Sequence, residues 1–248
     1  MTKGKQEMNE TVFPKRARVV SGSALKTFAL VCMIVDHVGA FIVYYLKPIV
    51  LFTVGDYNVT LYRLMRWIGR PAFPIYVFLL VEGYLHTRDR VRYGANLFAF
   101  ALISELPWNL AHSGSLIYVD AQNVFFTLFL GYVGVCVYDA FEGEANKQFA
   151  ALLPLIVMAL LMNADYGVLG FGFILMTFVL RGKPAAMTAV GCGFVGANPA
   201  ACLAFIPINM YNGKRGFIKG RVLKYLYYAV YPAHMLALYF VHLNVIGY

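Results

Sequence analysis

Eight apolar stretches dominate the chain, near 24–46, 68–86, 95–112, 123–141, 148–163, 166–182, 185–208 and 225–246. A helix needs roughly 20 residues to cross a bilayer, and these runs approach or exceed that length. Short polar segments punctuate them: Arg88-Asp89-Arg90-Val91-Arg92, Glu142-Gly143-Glu144 with Lys147, Arg181-Gly182-Lys183-Pro184, and Asn212-Gly213-Lys214-Arg215-Gly216. The pattern predicts an all-α, polytopic integral membrane bundle of about eight transmembrane spans. It forms one multi-span domain over 24–248 behind a polar tail, 1–23. The run 185–208 carries Gly191, Gly193, Gly196 and Pro199, so an irregular or re-entrant segment is expected there. The stretch 47–66 is expected to include an interfacial helix, its Tyr57, Tyr62, Arg63 and Arg66 suiting the headgroup layer.

Composition agrees with this class. Of 248 residues 60% are hydrophobic and 13% charged, where a soluble domain carries about 25% charged. The net charge of +9 comes from residues at the ends of apolar runs, with no basic arm or aromatic–basic array. It reads as positive flanks at a membrane surface and excludes nucleic acid as the partner. Cys32, Cys136, Cys192 and Cys202 lie in apolar stretches without metal-ligand spacing, so neither a disulfide nor a metal is expected. The start of the chain lacks the layout of a cleavable signal, because the first apolar run is long and holds Asp36 and His37 in its middle.

Placing Lys3, Lys5, Lys15, Arg16 and Arg18 in the cytoplasm also puts Arg88–Arg92 and Arg181–Lys183 there, if every span crosses once. The basic loop Lys214, Arg215, Lys219, Arg221, Lys224 then falls outside, against the positive-inside rule. A double crossing or re-entry of 185–208 removes the conflict and leaves the N-terminus cytoplasmic.

Charged residues at mid-bilayer cost about 2.5–3.5 kcal/mol, so each needs a reason. Asp36, His37, Glu82 and Glu105 all occupy apolar runs, and all five histidines (37, 86, 112, 234, 242) lie inside such runs or at their ends. Lys26 and His37 are eleven residues apart, so they share a helix face, roughly 16 Å apart along the axis. Glu82 and His86 are spaced to touch, and Glu105, Asn109 and His112 form a stripe. Plainer readings stand beside these. Lys26 alone is a snorkelling flank, Glu82–His86 a neutralising pair, Glu105 a backbone partner at a break before Pro107, and His112 and His242 interfacial.

An imidazole can take a proton from an attacking hydroxyl or amine and return it to a leaving group, with a carboxylate to orient the ring. Asp36 diverges from His37 by about 100°, so Glu82 or Glu105 is the expected orienter. A thioester donor needs cations for its phosphates, which Lys26, Arg63, Arg66 and Arg70 would supply. No glycine-rich phosphate loop, zinc helix or nucleophile elbow is present in the sequence.

From about Ser23 to His242 the chain resembles the TraX family, multi-span proteins named for the enzyme that acetylates the N-terminus of F-type conjugative pilin. The resemblance rests on an ordered series: Leu25-Lys26-Thr27-Phe28-Ala29 leading to Met33-Ile34-Val35-Asp36-His37, Gly69-Arg70-Pro71-Ala72-Phe73-Pro74-Ile75-Tyr76, and Glu82-Gly83-Tyr84 with His86-Thr87-Arg88. It continues with Ile103-Ser104-Glu105-Leu106-Pro107-Trp108, Asn123–Leu128 with Gly131, Asp165-Tyr166-Gly167, and Tyr231-Pro232-Ala233-His234. The first run is also similar to the membrane acyltransferase-3 group, in which a basic residue precedes a catalytic histidine by eleven positions. What the resemblance implies is acetyl transfer in a bacterial cytoplasmic membrane, with acetyl-CoA as donor substrate and an acceptor such as a pilin-like peptide or another envelope hydroxyl or amine. His37 would then be the base, Glu105 or Glu82 its orienter and His234 a lining residue from the last span, with Lys26, Arg66 and Arg70 on the donor. The alternative reading of the same buried groups is a proton-coupled transporter or flippase, and a non-catalytic assembly factor is a third.

Overall fold

Ser21 starts the first helix, α1 (Gly22–Phe41), by accepting a hydrogen bond from the Ala24 amide, and His242 closes it by donating from Nδ1 to the Phe41 carbonyl at 2.7 Å. Both ends therefore have partners for backbone groups that a helix leaves orphaned. The computed structural model describes residues 12–196 and 198–247, so Lys3 and Lys5, on which the sequence-based topology leans, lie outside the described residues.

Beyond α1 the chain forms a hairpin and then helices. Strands β1 (Val50–Val54) and β2 (Tyr57–Thr60) pair antiparallel around Gly55, whose φ of +58° suits a tight turn. Thr60 caps α2 (Leu61–Gly69). Pro71, which has no amide hydrogen to give, separates it from α3 (Ala72–His86). Asp89 caps α4 (Arg90–Ser113), which ends on Gly114 at φ +68°. Asn123 caps α5 (Val124–Ala140), and α6 (Ala145–Leu161) and α7 (Gly167–Val179) follow. Three short helices then occupy the glycine-rich run: α8 (Pro184–Phe194), α9 (Pro199–Cys202) and α10 (Phe205–Asn209). A long helix, α11 (Gly220–Val245), completes the order.

The protein is thus helical, with one small hairpin. Among the described residues two segments are long and apolar enough to cross a membrane, Gly22–Tyr45 and Leu61–His86. Within 47–66 a helix does begin, α2, which carries Tyr62, Arg63 and Arg66, but it starts only at Leu61, and 50–60 forms the hairpin instead. The expected break before Pro107 is also absent, since α4 runs through that proline.

Helix α1 packs against α2, α3 and α11, α11 against α4, and α5 against α4, α6 and α7. Leu25 and Ala29 of α1, Ile75 and Val77 of α3, Val135 of α5 and Met235 of α11 lie in one buried apolar cluster. Gly131 allows α5 to approach α7 so closely that a β-carbon there would overlap Ile174.

One end of the bundle fixes chain direction. The Gly22 amide donates to the Lys214 carbonyl at 2.9 Å, and the Ser23 hydroxyl to the Arg215 carbonyl at 2.7 Å. The Tyr84 hydroxyl and the Arg90 guanidinium both reach the Asp139 carboxylate, at 2.8 and 3.0 Å. The starts of α1 and α4, the ends of α3 and α5 and the basic segment before α11 therefore share one side. Helix α8, at eleven residues, is about 17 Å long, and α9 and α10 carry the chain back to Tyr211, beside Val20.

Candidate functional site

A cavity of about 710 Å³ follows the polar face of α1 from Gly22 to His37. Fifteen residues of helix correspond to about 22 Å, so the space is a channel rather than a bowl. At its mouth stand Lys26, Arg88, Arg215 and Lys224. None of the four is ion-paired among the described residues. The Lys26 ammonium lies over the Tyr228 ring, 4.7 Å from its centroid, and 5.5 Å from that of Tyr227. These rings hold a cation at the channel without neutralising it. Glu82, with Tyr211 bonded to it and His86 at 3.8 Å, lines the same half.

His37 lies at the deep end, with Asp36, Asp165, Tyr166 and Tyr231. Its ring stacks on that of His234, 5.0 Å between centroids and 4° from parallel, with Nδ1 of His37 2.6 Å from Nε2 of His234. The proton positions follow from what lies beyond. His234 Nδ1 is 2.8 Å from the Val230 carbonyl, which can only accept, so that nitrogen carries the hydrogen. In the neutral ring His234 Nε2 is then an acceptor, and His37 Nδ1 must donate to it. His37 Nε2 is left as an unprotonated nitrogen with no hydrogen-bond partner among the described residues. A carbonyl on α11 thereby selects the basic tautomer of a residue on α1.

Asp36 turns away from His37. Its Oδ2 accepts from Arg66 Nη1 at 2.5 Å, tying α1 to α2, and Gly69 makes room for it, since a β-carbon there would overlap the carboxylate. Asp165 enters from the connection before α7, where the Thr127 hydroxyl bonds to its carbonyl. Burial pushes its carboxyl up to about 6; a backbone hydrogen bond from Tyr166 opposes this, and neighbouring Asp36 reinforces it.

Measured against the sequence-based expectations, the residues divide. His37 and Glu82 line one channel, and His234 stands directly behind His37. Glu105 does not reach the channel: its Oε2 accepts from Asn123 Nδ2 at 2.6 Å and secures the cap of α5. The expected carboxylate orienter is corrected, because the partner of His37 is His234. Glu82 sits about 15 Å along α3 from Ala72, which lines the channel on the turn after Gly69. The expected donor set is split as well. Lys26 is at the mouth, whereas Arg66 pairs with Asp36 and Arg70 lines a second cavity. His242 is buried under the end of α1 rather than interfacial. Arg88, Arg215 and Lys224 were legible only as loop charges, and their convergence depends on helices far apart in sequence.

This architecture defines a helical protein with an internal channel, cationic at one end and holding a histidine pair at the other. The family model described as "TraX protein" matches residues 21–242, and the chain belongs to that family. It is also similar to the probable fimbrial assembly protein FimC, serogroup H1, of Dichelobacter nodosus, at 24% identity over 246 residues, covering 87% of this chain and 93% of that one. No solved structure matches it.

Proposed function

We propose that this chain is a membrane-embedded acetyltransferase that carries acetyl groups from acetyl-CoA to an acceptor hydroxyl or amine. The observation that carries the reading is the continuity of one channel between four unpaired cations and the free Nε2 of His37. Phosphates of the donor would rest on Lys26, Arg88, Arg215 and Lys224. Its acyl arm would extend along α1 toward His37. The acceptor's oxygen or nitrogen attacks the thioester carbonyl while His37 Nε2 removes its proton. The carbon–sulfur bond breaks, and the same proton returns to the departing thiolate as CoA is released. His234 steadies the imidazolium by accepting from Nδ1 throughout. The acceptor belongs to the cell envelope, a pilin-like peptide being one candidate.

Chain direction supports a matching topology. With the basic end of the bundle in the cytoplasm, α1, α3, α4, α5, α6, α7 and α11 cross the bilayer, and α8 to α10 form a re-entrant pair. That gives seven crossings and one returning segment in place of eight spans, and it puts Lys214–Lys224 on the cytoplasmic side with Arg88–Arg92. The channel mouth then opens to cytoplasmic acetyl-CoA.

The test uses the full chain purified in a neutral detergent with radiolabelled acetyl-CoA. Saturable binding that CoA displaces is expected, with slow release of free acetate or self-acetylation when no acceptor is supplied. Removing the charge of Arg215 or Arg88 should weaken binding by about 10- to 150-fold, the range for a hydrogen bond to a charged group worth 1.5–3 kcal/mol. A folded protein that fails to bind CoA overturns the assignment.

A further inference from the structure

A second cavity of about 320 Å³ lies beyond the deep end of the channel. Its walls are apolar, chiefly Phe73, Leu169, Phe173 and Phe194, and three polar side chains with hydrogens to give, Arg70, Asn198 and Tyr166, stand on it. Arg70 makes no side-chain hydrogen bond or ion pair among the described residues; its charge is felt by Asp36, which already holds Arg66, and by Asp165, neither of which bonds to it. Asn198 uses its Oδ1 to cap α9, accepting from the Ala200 and Ala201 amides, which fixes the amide orientation and leaves Nδ2 with no partner among the described residues. The cavity therefore offers the charged donor of Arg70 and the amide donor of Asn198, with the Tyr166 hydroxyl in its wall, and an apolar chamber. That is the complement of an anionic head on an apolar chain. At the small end of ligand-pocket volumes, about 300–1,000 Å³, it takes one chain rather than two.

We propose that this cavity binds a single-chain anionic amphiphile, its head on Arg70 and Asn198 Nδ2 and its chain among the aromatic side chains. Either the carboxylate of a fatty acid or the phosphate of a single-chain phospholipid satisfies this chemistry. The proposal does not rest on acetyl transfer, and a chain that bound no CoA would still be expected to bind the amphiphile. The wall between the two cavities is the pair Phe73 and Tyr166, stacked at 3.5 Å between centroids and 4° from parallel, and both residues line both spaces. Tyr166 holds a left-handed backbone at φ +66°, so its ring position is set by a conformation that side chains rarely adopt.

The experiment uses the full chain in a maltoside detergent and a dodecanoate probe with a photoreactive diazirine near its chain end. Cross-links should map to 166–173 and 194–201. Unlabelled dodecanoate or dodecyl phosphate should compete at least tenfold better than neutral dodecanol, and the better of the two anions identifies the head group. Arg70→Gln should reduce labelling at least tenfold and Arg70→Lys by less. Labelling elsewhere, equal competition by dodecanol, or undiminished labelling of Arg70→Gln overturns the proposal. Should Arg70→Gln not fold, Leu169→Trp decides, because that side chain is 65% exposed at the rim and a larger one narrows the cavity without entering the core. Unchanged labelling of that variant is equally fatal.

Discussion

His37 and Asp36 are neighbours in sequence that serve different helices. His37 reaches α11 through His234, and Asp36 reaches α2 through Arg66. This divergence was legible in the sequence, since consecutive helical positions differ by about 100°. The identity of each partner was not, because both depend on residues 30 and 197 positions away. The two substitutions should consequently differ in kind. His37→Ala should lower the rate of acetyl transfer by 10²–10⁴-fold, the range for a positioned base, while the protein stays monodisperse in detergent. Asp36→Asn should chiefly lower the melting temperature, through a loss of about 1.5–3 kcal/mol for a hydrogen bond between charged groups. Kinetics and thermal unfolding measured on both variants check the pair of expectations. A folded, catalytically dead Asp36→Asn would reverse the two roles.

At the level of elements, the apolar runs marked the helices well because each one is bounded by charge, glycine or proline. The hairpin was the miss. Gly55-Asp56 between Val54 and Tyr57 is a two-residue turn signal flanked by β-branched and aromatic side chains. Its aromatic and basic neighbours suit a membrane interface equally well, so residue type alone does not separate a hairpin from an interfacial helix there. Glu105 is a second instructive case. Its position in an apolar run singled it out for chemistry, yet its work is to hold Asn123 at the junction of α4 and α5. A glutamine keeps an oxygen there that can accept the same bond. Glu105→Gln should therefore leave transfer within about twofold of the parent chain, whereas loss of a group that oriented the base would cost far more. Steady-state rates of this variant separate the two readings.

For the whole molecule, the hydrogen bond from Ser23 to the Arg215 carbonyl puts the start of α1 beside the basic segment before α11, as the proposed topology requires. Cysteines placed at Arg88 and Arg215 should react with an impermeant maleimide only after the cytoplasmic face is opened. One placed at Gly55, in the hairpin at the other end of α1, should react in intact cells. Labelling of position 215 from outside would remove the re-entrant arrangement of α8 to α10. The pairing of His37 with His234 has a consequence of its own, in the order of synthesis. The two are separated by 197 residues, so at about 5–20 residues per second the first waits roughly 10–40 s for the second to emerge from the ribosome. In the proposed topology α1 would spend that interval in the bilayer with an imidazole whose tautomer nothing yet dictates. For the proposed enzyme, chemical competence would arrive only with the final helix, and a nascent chain released early would lack the His37–His234 pair.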